Sequence, residues 1–130
     1  MIFWIVTLIL AFSPLGLAHE KTGWIAPEEA KKMKNPIKPE KASIEQGKVI
    51  YEKKCALCHG EKGDGKGSAG EGLNPKTTSF KQSHGKQTRD GEHFWKITNG
   101  RGPMPSFEKD LTEEERWHVI NYLSTFGKKN

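Results

Sequence analysis

Both cysteines of this 130-residue chain fall in one pentapeptide, Cys55-Ala56-Leu57-Cys58-His59, and five glycines follow it before residue 71. Two thiols three positions apart on a turn can add to two neighbouring sites of one rigid ligand. The adjacent imidazole then stands where it can bind a metal held by that ligand. This is the attachment pattern of a covalent haem, and it competes with a thiol redox pair and with part of a zinc site. A redox pair belongs near a strand-helix-strand unit, and no stretch here alternates as a strand. Zinc would need Cys55, Cys58 and two of His19, His59, His84, His93 and His118, whose positions lack the compact second pair of a zinc finger. The haem reading accounts for all three residues; the thiol and zinc readings stay open on composition alone.

The glycines after the motif imitate two nucleotide sites. Gly60 to Lys66 approximates a phosphate-binding loop, but residue 67 is Gly where a magnesium-binding hydroxyl is required, and Gly65 to Gly70 spells GxGxxG. Both motifs need a strand before them and a helix after. Here the preceding residues read as a helix, and Gly70, Gly72 and Pro75 rule out a helix on the other side. Nucleotide binding is excluded, and the glycines are expected in a loop that turns tightly and approaches another group closely. The formal net charge is +5, carried by 18 lysines and 3 arginines. Nucleic-acid readout favours arginine, so the lysines point to a surface that steers the chain toward acidic patches on protein partners rather than to nucleic acid.

Residues 1–18 carry no charge and are mostly apolar. The run Ile2 to Phe12, broken by Pro14 and Gly16 and closed by Gly16-Leu17-Ala18, predicts a signal peptide cut after Ala18. A positive start is missing, so an uncut membrane anchor is the alternative, and the membrane enters only that way or through partners. Residues 19–42 are charged and proline-punctuated and read as an arm or linker, with Trp24, Ile25 and Ile37 able to pin it. Residues 43–127 form the predicted domain and residues 128–130 a tail. Cleavage takes the apolar share from 34% to about 27%, a thin core that a bound cofactor would complete.

Three helices are predicted. The first runs from Ser43, with Gln46 completing a capping box, to about Lys54, with an apolar side of Ile44, Gly47, Val49, Ile50 and Tyr51. The second covers 91–99 behind an Asp90 cap, with Phe94, Trp95 and Ile97 apolar and Gly100 as its stop. The third starts at a Thr112/Glu115 capping box and carries Trp117, Val119, Ile120, Tyr122, Leu123 and Phe126 up to Gly127. His93 and His118 are expected to face solvent. The loops between the helices are long, which suits segments that wrap a cofactor.

An electron-carrying iron needs a sixth ligand, and Arg101-Gly102-Pro103-Met104-Pro105-Ser106-Phe107 offers one. A thioether is soft enough for haem iron, and flanking prolines leave little entropy to lose when the sulfur is presented. Met104 is therefore the predicted distal ligand, with His84 and His93 as alternatives.

Taken together, residues 43–126 resemble the small class I cytochromes c of bacteria. The resemblance rests on Gly47 and Tyr51, the Cys55-Cys58-His59 motif, Leu73 and Pro75, the stretch from Phe94 to Phe107, and Trp117 with Tyr122-Leu123. It implies an all-α fold of three to five helices, with loops wrapped around one covalent haem c and the first and last helices crossing at Gly47. Cys55 and Cys58 would form the thioethers, and His59 and Met104 would bind the iron. Pro75 would accept the His59 Nδ1 proton, and Phe80 and Trp95 would pack on the haem. Arg89 departs from the small capping residue expected before the second helix. The implied function is a periplasmic single-electron carrier between respiratory redox partners, and not an enzyme. The alternatives are a haem subunit of a larger redox enzyme, and a sensor or peroxidase in which Met104 is displaced.

Overall fold

The computed structural model describes residues 23–83 and 89–127. The predicted signal peptide, His19, His84 and the tail at 128–130 lie outside the described residues. Among the described residues six helices occur in the order α1 (Glu28–Lys32), α2 (Lys41–Lys54), α3 (Ala56–His59), α4 (Phe80–Ser83), α5 (Asp90–Asn99) and α6 (Glu113–Leu123). No strand forms among the described residues, and a lone bridge joins Arg101 to Met104. The fold is all-α, as expected. No helix among the described residues is long and apolar enough to cross a membrane.

The crossing of α2 and α6 organises the rest. A β-carbon at Gly47 would collide with the backbone carbonyl of His118 and lie 2.9 Å from Cβ of Tyr122, so only glycine lets the helices approach this closely. Tyr51, Val119, Ile120 and Leu123 are fully or almost fully buried at this seam. Phe94 of α5 stacks on Trp117 of α6 at 4.0 Å between ring centroids, and the Arg116 guanidinium lies 5.1 Å from the Phe94 ring. Val49, expected on the apolar side of α2, is exposed instead.

The helix starts divide by what competes for their side chains. Thr112 and Glu115 make the predicted capping box at α6, with Glu115 N–H on Thr112 Oγ1 at 3.1 Å and Thr112 N–H on Glu115 Oε2 at 2.8 Å. Ser43 does not cap α2. That helix begins two residues earlier, Glu40 is its N-cap, and the Ser43 hydroxyl turns inward to His118 Nδ1 at 2.7 Å. Asp90 is the first residue of α5 rather than its cap, which falls to Arg89. At the far end α6 stops at Leu123, short of Gly127, where Ser124 and Thr125 hydroxyls bond the Asn121 and Tyr122 carbonyls.

The segment before α2 lies against α5 and α6. Trp24 tilts onto Trp95 at 6.5 Å, Ala26 and Ala30 are buried, and a β-carbon on Gly91 would meet the Ala30 carbonyl. Asn35 donates to the Trp117 carbonyl at 3.2 Å and to Asn121 Oδ1 at 2.8 Å. Asn121 in turn donates to the Ile37 and Lys38 carbonyls and to Ser43 Oγ. His118 is part of this network and is 5% exposed, not solvent-facing as its sequence position suggested. Trp24 and Ile37 are partly buried, whereas Ile25 points outward.

Candidate haem-binding site

The site is built at the break between α2 and α3. Cys55 ends the first helix, its N–H bonded to the Tyr51 carbonyl at 2.8 Å, and caps the second, its carbonyl accepting from Cys58 and His59 N–H. Both cysteines are therefore on one helical turn, three residues apart, as free thiols that are half-buried. Burial, with a smaller effect from Cys58, pushes the Cys55 thiol up to about 12. Among the described residues, no three of His, Cys, Asp and Glu come together as a metal cluster; His19 and His84 of the zinc alternative lie outside them.

The glycine-rich run folds back along α3. Ala69, Gly67 and Gly65 N–H groups donate to the carbonyls of Leu57, Cys58 and His59 at 3.0, 3.1 and 2.8 Å, satisfying the end of that short helix. A β-carbon at Gly67 would strike the Leu57 and Cys58 backbone, and one at Gly70 the Cys58 carbonyl. The apparent nucleotide signatures are thus the consequence of a loop lying directly on the backbone of the CxxCH turn.

His59 has its Nδ1 3.1 Å from the Thr78 carbonyl. A carbonyl only accepts, so Nδ1 carries the proton and Nε2 keeps its lone pair for a metal. Burial lowers the His59 pKa against the opposing effect of the Thr78 bond, favouring the neutral ring a ligand must be. Phe80 stacks on the imidazole at 4.7 Å and is buried at the head of α4. The acceptor for Nδ1 is Thr78 and not Pro75, which is exposed; the chain brings its carbonyl to His59 three residues later than the resemblance implied. Trp95 is half-buried on α5, with Trp24 of the arm as its aromatic neighbour. His93 is half-buried, its ring edge toward Phe80 at 6.1 Å, rather than exposed.

Met104 sits in a tight turn closed by two hydrogen bonds with Arg101, at 2.9 and 3.2 Å, and packs against the hydrophobic core. Gly100 and Gly102 take positive φ values of 65° and 58° that make the turn possible. Ser106 Oγ on the Thr98 carbonyl and Phe107 N–H on the Ile97 carbonyl fasten the loop to α5. Arg116 Nη1 reaches the Leu111 and Glu108 carbonyls at 3.0 and 3.2 Å and ties the following segment to α6.

The donor set fits a covalent haem. Two thiols share one turn, and an imidazole stands beside them with one nitrogen already committed to a carbonyl and the other available. A thioether is held on a rigid loop against the same core. Thr78 and the Tyr51 hydroxyl, which donates to the Gly60 carbonyl at 2.7 Å, were not foreseen. A backbone acceptor leaves no mark in a sequence, and Tyr51 was legible only as a packing residue.

Comparison with known proteins agrees with this geometry. The family described as cytochrome c oxidase, cbb3-type, subunit III matches residues 42–123. A chain of the reducing HAO-like protein complex of Kuenenia stuttgartiensis aligns at 30% identity with a TM-score of 0.62, covering 72% of this chain and 47% of that one. This chain thus spans about half the length of that solved relative. No curated protein matches it. The CxxCH turn, the helical fold and the match over most of the domain together place the chain in the cbb3-type subunit III family of c-type cytochromes, and its one CxxCH motif provides for one covalently bound haem c with its iron.

Proposed function

We propose that this chain carries single electrons between redox proteins in the periplasm, with His59 and Met104 as the two axial ligands of its iron. Bound haem supplies the one-electron Fe(III)/Fe(II) couple. The observation that carries the reading is the Nδ1–H of His59 on the Thr78 carbonyl, which leaves Nε2 unprotonated and aimed by a fixed partner. Phe80, stacked on the same imidazole, keeps water from that side and limits ring rotation. Met104 supports the second ligand position because its loop is closed on itself and fastened to α5, so the sulfur needs little rearrangement when the iron changes charge. His and Met together raise the potential relative to two nitrogen ligands. The uncharged run at residues 1–18 supports export.

A second reading is favoured by one observation. The solved relative is a chain within a protein complex, and this chain covers less than half of it. The same electron-carrying domain would then be a subunit of a larger redox enzyme.

Optical spectra of holoprotein and of Met104→Ala test the ligand assignment. The ferric wild type is expected to show a sulfur-to-iron charge-transfer band, and the ferrous form to resist rapid carbon monoxide binding. Met104→Ala is expected to lose the band, bind carbon monoxide and fall in potential. An unchanged spectrum in the variant overturns the assignment.

A further inference from the structure

His59 belongs to a closed circuit of hydrogen bonds. Its Nδ1–H donates to the Thr78 carbonyl at 3.1 Å. Two residues on, Phe80 N–H donates to the Gly63 carbonyl at 2.7 Å, and Gly63 N–H donates to the Gly60 carbonyl at 3.0 Å. Gly60 is covalently next to His59, which completes the circuit. The Gly60 carbonyl has a second donor, the Tyr51 hydroxyl at 2.7 Å.

Tyr51 comes from α2, outside the 59–80 loop that supplies the other members. Its side chain is 0% exposed and is packed among Phe80, Tyr122 and Phe126, at 6.4, 5.3 and 5.2 Å between ring centroids. Packing alone would be served as well by Phe. The hydroxyl ends on the first carbonyl after the ligand, at a residue whose φ of 79° turns the chain out of α3. Through that carbonyl the closely packed α2–α6 crossing is joined to a loop that runs in turns between α3 and α4.

We propose that Tyr51 is a positioning residue for the proximal ligand: its hydroxyl, acting through the Gly60 carbonyl, anchors the circuit that sets the angle of the His59 imidazole. The proposal rests on the reading of His59 as an iron ligand. Without the hydroxyl, Gly60 keeps only the Gly63 donor, the 59–63 turn loosens, and Phe80 and Thr78 move with it. A longer Nδ1–H···O bond makes the imidazole a weaker donor, which disfavours the ferric ion and raises the potential.

The test compares wild-type holoprotein with Tyr51→Phe and with Tyr122→Phe, which removes a hydroxyl from the same aromatic cluster without touching Gly60. Proton NMR of the ferric forms reads the spread of the haem-methyl shifts, which follows the imidazole angle, and a redox titration reads the potential. Tyr51→Phe is expected to alter the methyl spread and raise the potential; Tyr122→Phe is expected to match wild type in both. Wild-type methyl shifts and potential in Tyr51→Phe overturn the proposal. A measurement on wild type alone stands beside the variants. A bonded Tyr51 hydroxyl gives a slowly exchanging proton close to the Gly63 amide, and a hydroxyl in rapid exchange with water also overturns the proposal. Loss of the Met104 assignment would appear as a missing charge-transfer band in wild type, and loss of the His59 assignment as the absence of any iron-shifted imidazole proton. Either is separate from the comparison between variants.

Discussion

A methyl group at position 47 has nowhere to go. The atoms it would meet are the His118 carbonyl and the first side-chain carbon of Tyr122, all fixed by α6 itself, so the helices must separate to admit it. Gly47→Ala is expected to cost about 1–3 kcal/mol, the usual range for overpacking a tight core, despite its better helix propensity. Denaturant unfolding of the holoprotein measures this. Position 47 was legible in the sequence because a glycine inside a helix needs a packing reason. His118 was not, because its burial depends on Ser43 and Asn121, one of them 75 residues away, and polar partners at that separation leave no periodic signal. The Thr78 acceptor was beyond reach for a different reason: every residue offers the same carbonyl.

Among the elements, α5 carries a charged cluster whose effect depends on pH. Glu92 is buried, which alone would raise its carboxyl pKa, but the Lys96 ammonium bonded to it and the Arg89 guanidinium beside it hold it below the ordinary value of 4.5. A carboxyl whose folded pKa is depressed stabilises the fold fully above its unfolded value and loses that contribution as pH falls through the folded value. Holoprotein stability is therefore expected to fall on acidification below pH 4.5, and Glu92→Gln to flatten that part of the curve. Unfolding midpoints measured from about pH 6 to pH 3 decide it. Helix identity was readable from spacing in all three long helices, while helix starts were read correctly only at α6. The Thr112 hydroxyl accepts from Glu115 in its own first turn, whereas that of Ser43 is drawn off by His118.

Over the whole molecule the net charge of +5 is spread mainly over lysines. Charges of this kind act at a distance and are screened over ~10 Å at 0.1 M salt. Electron transfer to an acidic redox protein is expected to slow by roughly tenfold or more as salt rises from low to physiological strength, and transfer to a neutral small-molecule reductant to stay level. Stopped-flow rates against ionic strength test both; a flat profile with the acidic partner would remove steering from the account. The arm shows what composition conceals at this scale. Its charge and prolines read as an arm or linker that Trp24 could pin, and Trp24 does meet Trp95; the Asn35 bond to α6 is the contact that no local pattern announces.

The Asn35–Asn121–Ser43–His118 network has a consequence in time. Its bonds join residues 75 to 86 positions apart, so nearly the whole described chain lies between the partners. Bringing such distant groups together carries a large loop-closure entropy, and contacts of this kind form after local ones. On a chain made from its N-terminus, residues 24–40 are made before α2 to α5, and their partners on α6 after them. The segment that precedes α2 is thus the part that must wait for α6 before its bonds can form.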